Sequence, residues 1–193
     1  MFKKFLLAAF VIFTLWSMGQ AMPDSVINGP FNISFDLGIA KTAYDVKVFE
    51  PLSTESLGEA KAIIHELVLS NRTNLDQQIN VRISDYENAL PASSGEFVAE
   101  TIEHVMYGLN LKDIKTSSRV IDGVNGGIGQ GEVFFQEGGH LGVWVAIYKP
   151  IFDPNSLVQV ISTYPWDDGT LSFVKTLHVE REDPRVEIRS DRK

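Results

Sequence analysis

Residues 141–148 constrain the fold most, because this stretch has the period of a β-strand and is apolar on both faces. The side chains of its two faces are Leu141, Val143, Val145 and Ile147 on one, and Trp144, Ala146 and Tyr148 on the other. A strand of this composition has to be covered on both sides by other parts of the chain. Helical segments are available elsewhere in the sequence, so we predict a sheet with a layer of helices on each side.

Alternating patterns predict several further strands. Phe31, Ile33 and Phe35 alternate with the polar Asn32 and Ser34, which indicates a strand with one buried and one solvated face. Similar patterns predict strands at 44–49, 79–83, 117–122, 132–136, 141–148 and 157–163. Residues 60–70 fit helical spacing and strand alternation equally well, and we favour a strand there.

Two helices are predicted from their ends. Ser93 and Glu96 have the spacing of a capping box, an apolar stripe with helical spacing follows, and Gly108 could end the helix. Near the C-terminus, Asp168 or Thr170 could cap a second helix. The apolar residues of that second helix would be Leu171, Val174 and Leu177.

The N-terminus has the three parts of a secretory signal: Lys3 and Lys4, an apolar run, and small residues up to Ala21. The apolar run is shorter than the roughly 18–20 residues that span a bilayer. We therefore predict a signal peptide at 1–21, with an uncleaved anchor as the alternative. A linker at 22–30, a single domain at 31–180 and a charged tail at 181–193 would follow, in a secreted or cell-surface protein that meets the membrane only through an uncleaved N-terminal segment.

The charge of the chain limits its partners. The formal net charge is −8, and removal of Lys3 and Lys4 with the signal would change it to −10. A negative surface repels phosphate groups, so we expect no nucleic acid partner. The chain has no cysteine, which excludes disulfides, thiolate metal sites and a cysteine nucleophile.

The motifs that could carry chemistry are incomplete. A phosphate-binding loop would need a lysine after Gly131, where Glu132 stands. His65 and Glu66 begin like a zinc-protease helix, but Leu69 occupies the place of the second histidine. We therefore predict no catalytic residues, no metal and no cofactor, and we interpret the glycine-rich stretch as a flexible hairpin connection.

Two connections are the candidate binding surface. Residues 122–131 would form a long loop that no core pattern requires, and the turn after the strand at 157–163 carries an aromatic ring and carboxylates. Binding residues tend to lie on loops that a rigid sheet holds in place, and the two connections would form one edge if the strand ends coincide. The candidate residues are Asp122, Gly123, Asn125, Tyr164, Trp166, Asp167 and Asp168. We expect Trp166 to be chiefly structural.

Two sequons, at Asn32 and Asn71, are candidate sites of N-glycosylation in an exported protein. Asn32 falls on the solvated face of its predicted strand, and Asn71 falls in a polar turn. Both positions would be accessible to a glycan.

The segment at 158–171, VQVISTYPWDDGTL, resembles PsbP-like extracytoplasmic domains, in particular small exported proteins of methanogenic archaea. The segments at 175–179, 120–123 and 35–38 fit the same family, and the resemblance covers most of residues 31–180. It implies an α+β fold in which a central antiparallel β-sheet is flanked by helices, as an α/β/α sandwich. It also implies no shared set of catalytic residues.

The expected function is therefore that of an exported, non-enzymatic binding or adaptor domain, whose partner is a protein or an envelope component. An extracytoplasmic hydrolase without a recognisable motif and a structural component of the cell envelope are the alternatives.

Overall fold

The computed structural model describes residues 24–54, 61–87, 95–151, 153 and 155–182. The strands are β1 Asp24–Asn28, β2 Phe31–Phe35, β3 Tyr44–Val48, β4 Leu52–Ser53, β5 Ala62–Asn71, β6 Gln78–Tyr86, β7 Lys112–Ile121, β8 Val124–Phe134, β9 His140–Tyr148, β10 Ser156–Ser162 and β11 His178–Arg181. The α-helices are α1 Gly95–Gly108 and α2 Leu171–Thr176. The predicted signal at 1–21, the capping-box side chains of Ser93 and Glu96 and most of the charged tail lie outside the described residues.

The strands form two antiparallel sheets. The larger is eight-stranded, in the order β3-β5-β6-β10-β9-β8-β7, with β4 following β3 along the same edge of β5. The smaller has three strands in the order β1-β2-β11, which joins the first described strand to the last. Strands β5, β6, β10, β9 and β8 therefore lie in the interior of the large sheet.

The small sheet and α2 cover one face of the large sheet. The alternating residues of β2 that the sequence predicts as inward, Phe31, Ile33 and Phe35, are buried in this core. The buried residues that meet them from α2 and β11 are Phe173, Val174, Leu177 and Val179, and those from the large sheet include Leu67, Leu69, Val81, Tyr148, Val158 and Val160. This core is the larger of the two.

Helix α1 covers part of the opposite face. Its Val98, Ile102 and Met106 form a second core with Val143 and Val145 of β9. The helix ends in a Schellman arrangement: Leu111 N–H donates to the carbonyl of Met106, and Asn110 takes the left-handed conformation with φ 55°. The helix therefore ends at Gly108, as predicted, and Asn110 supplies the left-handed residue that follows it.

The α/β/α sandwich is wrong, and the fold is β-rich. The strand at 141–148 is covered on both sides, as its composition requires, but a helix layer supplies only one of the two covers. The other cover is a second antiparallel sheet with the short α2 beside it. A sheet can bury one face of another sheet as well as a helix can, so the need for cover does not decide its type.

Three further elements can be compared with the sequence predictions. The ambiguous stretch at 60–70 forms strand β5, as favoured. Residues 24–28 of the predicted linker form strand β1, and Arg181 of the predicted tail ends strand β11. Neither α-helix in the part of the chain that the structure describes has the length and apolar character needed to cross a bilayer.

Candidate functional site

The glycine-rich stretch is strand β8 and not a loop, so the predicted long binding loop is wrong. Asp122 and Gly123 alone connect β7 to β8, both with positive φ (51° and 74°), as a two-residue hairpin turn requires. Gly127 and Gly129 lie directly beneath α1, where an added Cβ atom would collide with the side chains of Ile102 and Met106. Their missing side chains let α1 approach the sheet.

Asp122 is a structural carboxylate at this turn. Its side chain is only 7% exposed, and its Oδ2 accepts hydrogen bonds from the Tyr148 hydroxyl (3.2 Å) and the Val179 N–H (3.1 Å). Burial, and then the charge and hydrogen bond of Asp122, raise the pKa of Tyr148 well above its usual value. Asp122 therefore ties the β7–β8 hairpin to both sheets.

His178 is an exposed residue that contacts Asp122. Its Nδ1 lies 2.6 Å from Asp122 Oδ1, its Nε2 lies 3.9 Å from Glu180 Oε2, and its side chain is 47% exposed. A buried carboxylate on Nδ1 holds the imidazole in one orientation. The imidazole therefore lies between a buried carboxylate and an exposed one.

Trp166 opens a wide helical turn, Trp166–Thr170, and packs against two residues that the sequence did not predict as its partners. Its ring lies 4.4 Å from that of Trp144, centroid to centroid, and the guanidinium of Arg119 lies 5.3 Å from the Trp166 centroid. All three side chains are partly buried. We call these three residues the tryptophan shelf.

The other residues of the predicted turn have different surroundings. Tyr164 is 1% exposed and belongs to the larger core, and its ring contacts Gly169, whose φ is 152°. Thr170 Oγ1 bonds to the carbonyl of Tyr164 and to Ser162 Oγ, both at 2.7 Å, which closes the turn. Asp167 and Asp168 are exposed.

The predicted site residues do not form one surface. Asp122 binds Tyr148, and Trp166 packs on Trp144. These two partners are four residues apart on β9 and therefore about 13 Å apart along the strand. Asn125 is exposed but lies on the opposite face of β8 from these contacts, because strand side chains alternate.

The two sequon asparagines are hydrogen-bonded. Asn32 Nδ2 donates to Glu180 Oε1 (2.9 Å), and Asn32 Oδ1 accepts from Ser25 Oγ (2.7 Å). Asn71 Oδ1 accepts from the N–H and hydroxyl of Thr73, both at 2.9 Å, and so shapes the turn after β5. Glycosylation at either position stays a prediction.

Strand β7, at the end of the large sheet, adds positive charge beside the tryptophan shelf. Lys112, Lys115 and Arg119 lie on this strand with a single acid, Asp113, in a chain whose net charge is −8. In a two-residue hairpin the flanking pair, Ile121 and Val124, is hydrogen-bonded. By alternation, the backbone groups of residues 116, 118 and 120 point away from β8, and no strand among the described residues pairs with them. We call strand β7 together with this open side the β7 edge.

A scan against models of protein families, a search of curated proteins and a search of solved structures returned no match for this chain. The resemblance to PsbP-like domains therefore stays a prediction. The site has to be interpreted from its own geometry.

A buried histidine makes the stability of the fold depend on pH. His65 is 4% exposed, its ring packs edge-to-face on Phe31 at 5.2 Å, and its Nδ1 has no hydrogen-bond partner among the described residues. Burial, and then the positive charge of Arg181, lower the pKa of His65 below its usual value of 6.5. The unfolded chain therefore takes up this proton at a higher pH than the folded protein does.

We expect the free energy of unfolding to fall as the pH drops below about 6.5, by at most about 1.4 kcal/mol per pH unit for this one group. Urea unfolding of the wild type and of His65→Gln at about pH 7.5 and about pH 5.5 checks this. The variant should lose less stability over that interval than the wild type. An identical loss in both proteins would contradict the role of His65.

Proposed function

We propose that the chain is an exported, non-enzymatic binding domain, and that the β7 edge with the tryptophan shelf takes its protein partner. The observation that carries the proposal is the position of Arg119, which belongs to the β7 edge and also lies on the ring of Trp166. Backbone groups, positive charge and aromatic surface therefore occur together. The export part of the proposal rests on the sequence of residues 1–21.

The partner that suits this edge is an extended, acidic segment of another protein. Outward-pointing backbone N–H and C=O groups can add one more strand to a sheet, and the backbone hydrogen bonds provide affinity. Lys112, Lys115 and Arg119 would attract glutamate or aspartate side chains of that strand. Tryptophan and arginine are the residue types most often found at the energetic centres of interfaces.

The two tryptophans allow this binding to be measured directly. The chain has three tryptophans, and Trp16 is the only one outside the shelf. In full-length protein carrying Trp16→Phe, fluorescence therefore reports on Trp144 and Trp166 alone. The probe is a short synthetic peptide that alternates glutamate with valine, and its lysine–valine counterpart is the matched control.

We expect a saturable fluorescence change with the acidic peptide that weakens as salt is added, and a much smaller change with the basic one. Arg119→Gln and Lys115→Glu should each weaken binding by about tenfold, as the loss of a charged contact of about 1.4 kcal/mol implies. Lys175→Gln, at an exposed position on α2, should bind like the wild type. Equal binding of both peptides, or no effect of Arg119→Gln in a normally folded protein, would refute the proposal.

A further inference from the structure

The opposite end of the large sheet also has an open edge. Strand β3 pairs with β5 on one side, and no strand among the described residues pairs with its other side. Val46 and Val48 are 39% and 43% exposed although they are apolar. An open edge with exposed valines can pair with another strand.

The hydrogen bonds to β5 show which backbone groups of β3 are free to do so. Phe49 N–H donates to Glu66, and the carbonyl of Ala43 accepts from Arg72, so the odd-numbered residues bond toward β5. By the alternation of an antiparallel ladder, the N–H and C=O groups of Tyr44, Val46 and Val48 point outward. These are the groups that a new strand would meet.

The sequence of the strand is complementary to itself. In an antiparallel pair of two copies centred on Val46, Asp45 lies opposite Lys47 of the second copy, and Lys47 lies opposite its Asp45. This register also places the outward-pointing groups of the two copies opposite one another. A shift of the centre to Asp45 or to Lys47 would place identical charges opposite each other, which destabilises a strand pair.

We propose that the outer edge of β3 is a homodimer interface in which two copies pair antiparallel about Val46 and join their large sheets. The non-hydrogen-bonded pairs Asp45–Lys47 are those in which side chains approach most closely. Val48 of each copy lies opposite Tyr44 of the other, so the pairing covers the exposed valines.

The charged side chains are free to turn toward a second copy. Asp45 Oδ1 binds Arg72 Nη2 at 2.5 Å, and Lys47 Nζ lies 4.6 Å from the centroid of the Phe49 ring. Asp45, Lys47 and Arg72 are all exposed, so these contacts contribute little stability in water. The interface lies at the opposite end of the sheet from the β7 edge, so the dimer and the proposed binding function are independent.

Sedimentation velocity of the full-length protein over a range of concentrations tests the dimer. We expect a monomer–dimer equilibrium for the wild type. Asp45→Lys and Lys47→Asp should each weaken self-association by at least about tenfold, because each places like charges opposite one another. An equimolar mixture of the two variants should form a heterodimer, since each charge then meets its opposite, and the double variant D45K/K47D should dimerise again.

Lys115→Asp makes the same change of charge on the β7 edge and should leave the dimer intact. Far-UV circular dichroism establishes that each variant is folded. A wild type that stays monomeric at every concentration would overturn the proposal, as would single variants that dimerise like the wild type. A mixture of the two variants that fails to associate would overturn the register.

Discussion

Replacement of Arg181 by methionine should destabilise the protein by about 3–5 kcal/mol, which is the usual cost of removing one partner of a buried ion pair. The guanidinium Nη1 lies 3.1 Å from Asp85 Oδ2 and 2.9 Å from Asp153 Oδ2, and all three side chains are largely buried. The same guanidinium lies 5.1 Å from the centroid of the Phe31 ring. Loss of this cation would leave two buried carboxylates close together.

Urea unfolding of the wild type and of Arg181→Met measures this cost. Arg72→Met is the matched control, because its ion pair with Asp45 is exposed and should contribute less than about 1 kcal/mol. Equal stabilities of the two variants would mean that the buried cluster contributes no more than a surface ion pair.

Replacement of Gly129 by alanine should cost about 2–3 kcal/mol, in the upper part of the range for overpacking a core. The added Cβ atom would lie 2.9 Å from Ile102 Cγ2 and would overlap the sulfur of Met106. Backbone strain does not contribute, because Gly129 lies within strand β8 without a positive φ. Helix α1 would have to move away from the sheet.

Thermal or urea unfolding of Gly129→Ala, of two single variants and of one double variant tests the close approach of α1. Gly142→Ala, on the neighbouring strand, is the control because an added Cβ atom there meets nothing within 4 Å, and it should be almost neutral. Met106→Ala is destabilising alone, but Gly129→Ala should add much less in that background, since the sulfur is gone. Additive effects of the two substitutions would show that Met106 does not press on Gly129.

The turn at Trp166 shows how far sequence reasoning reached at the candidate site. Two aspartates and a capping position predicted a turn between a strand and a helix, and that turn is present. The partners of Trp166 were not predictable, because Trp144 and Arg119 are brought to it by pairings between strands distant in sequence. An arginine in a strand has no local signal that distinguishes a ring contact from a solvated side chain.

The glycines of β8 show where a local sequence preference led to a wrong prediction. Glycine is rare inside strands and common in turns, so local preference indicated a loop for the stretch at 122–131. The structure has instead a strand whose glycines admit a helix at close range. Glycine within a strand can mark such an approach, but the approaching helix is not encoded in the stretch itself.

Local sequence patterns alone determined most of the strands, the apolar stripe of helix α1 and the need to cover both faces of the strand at 141–148. These features depend on the period of apolar side chains, which each segment carries in its own sequence. Only the tertiary structure decided what covers that strand, which charges meet Arg181 and which edges of the sheet stay open. Each of those outcomes depends on pairings between distant segments, as when β11 closes a sheet with β1 and β2 more than a hundred residues away.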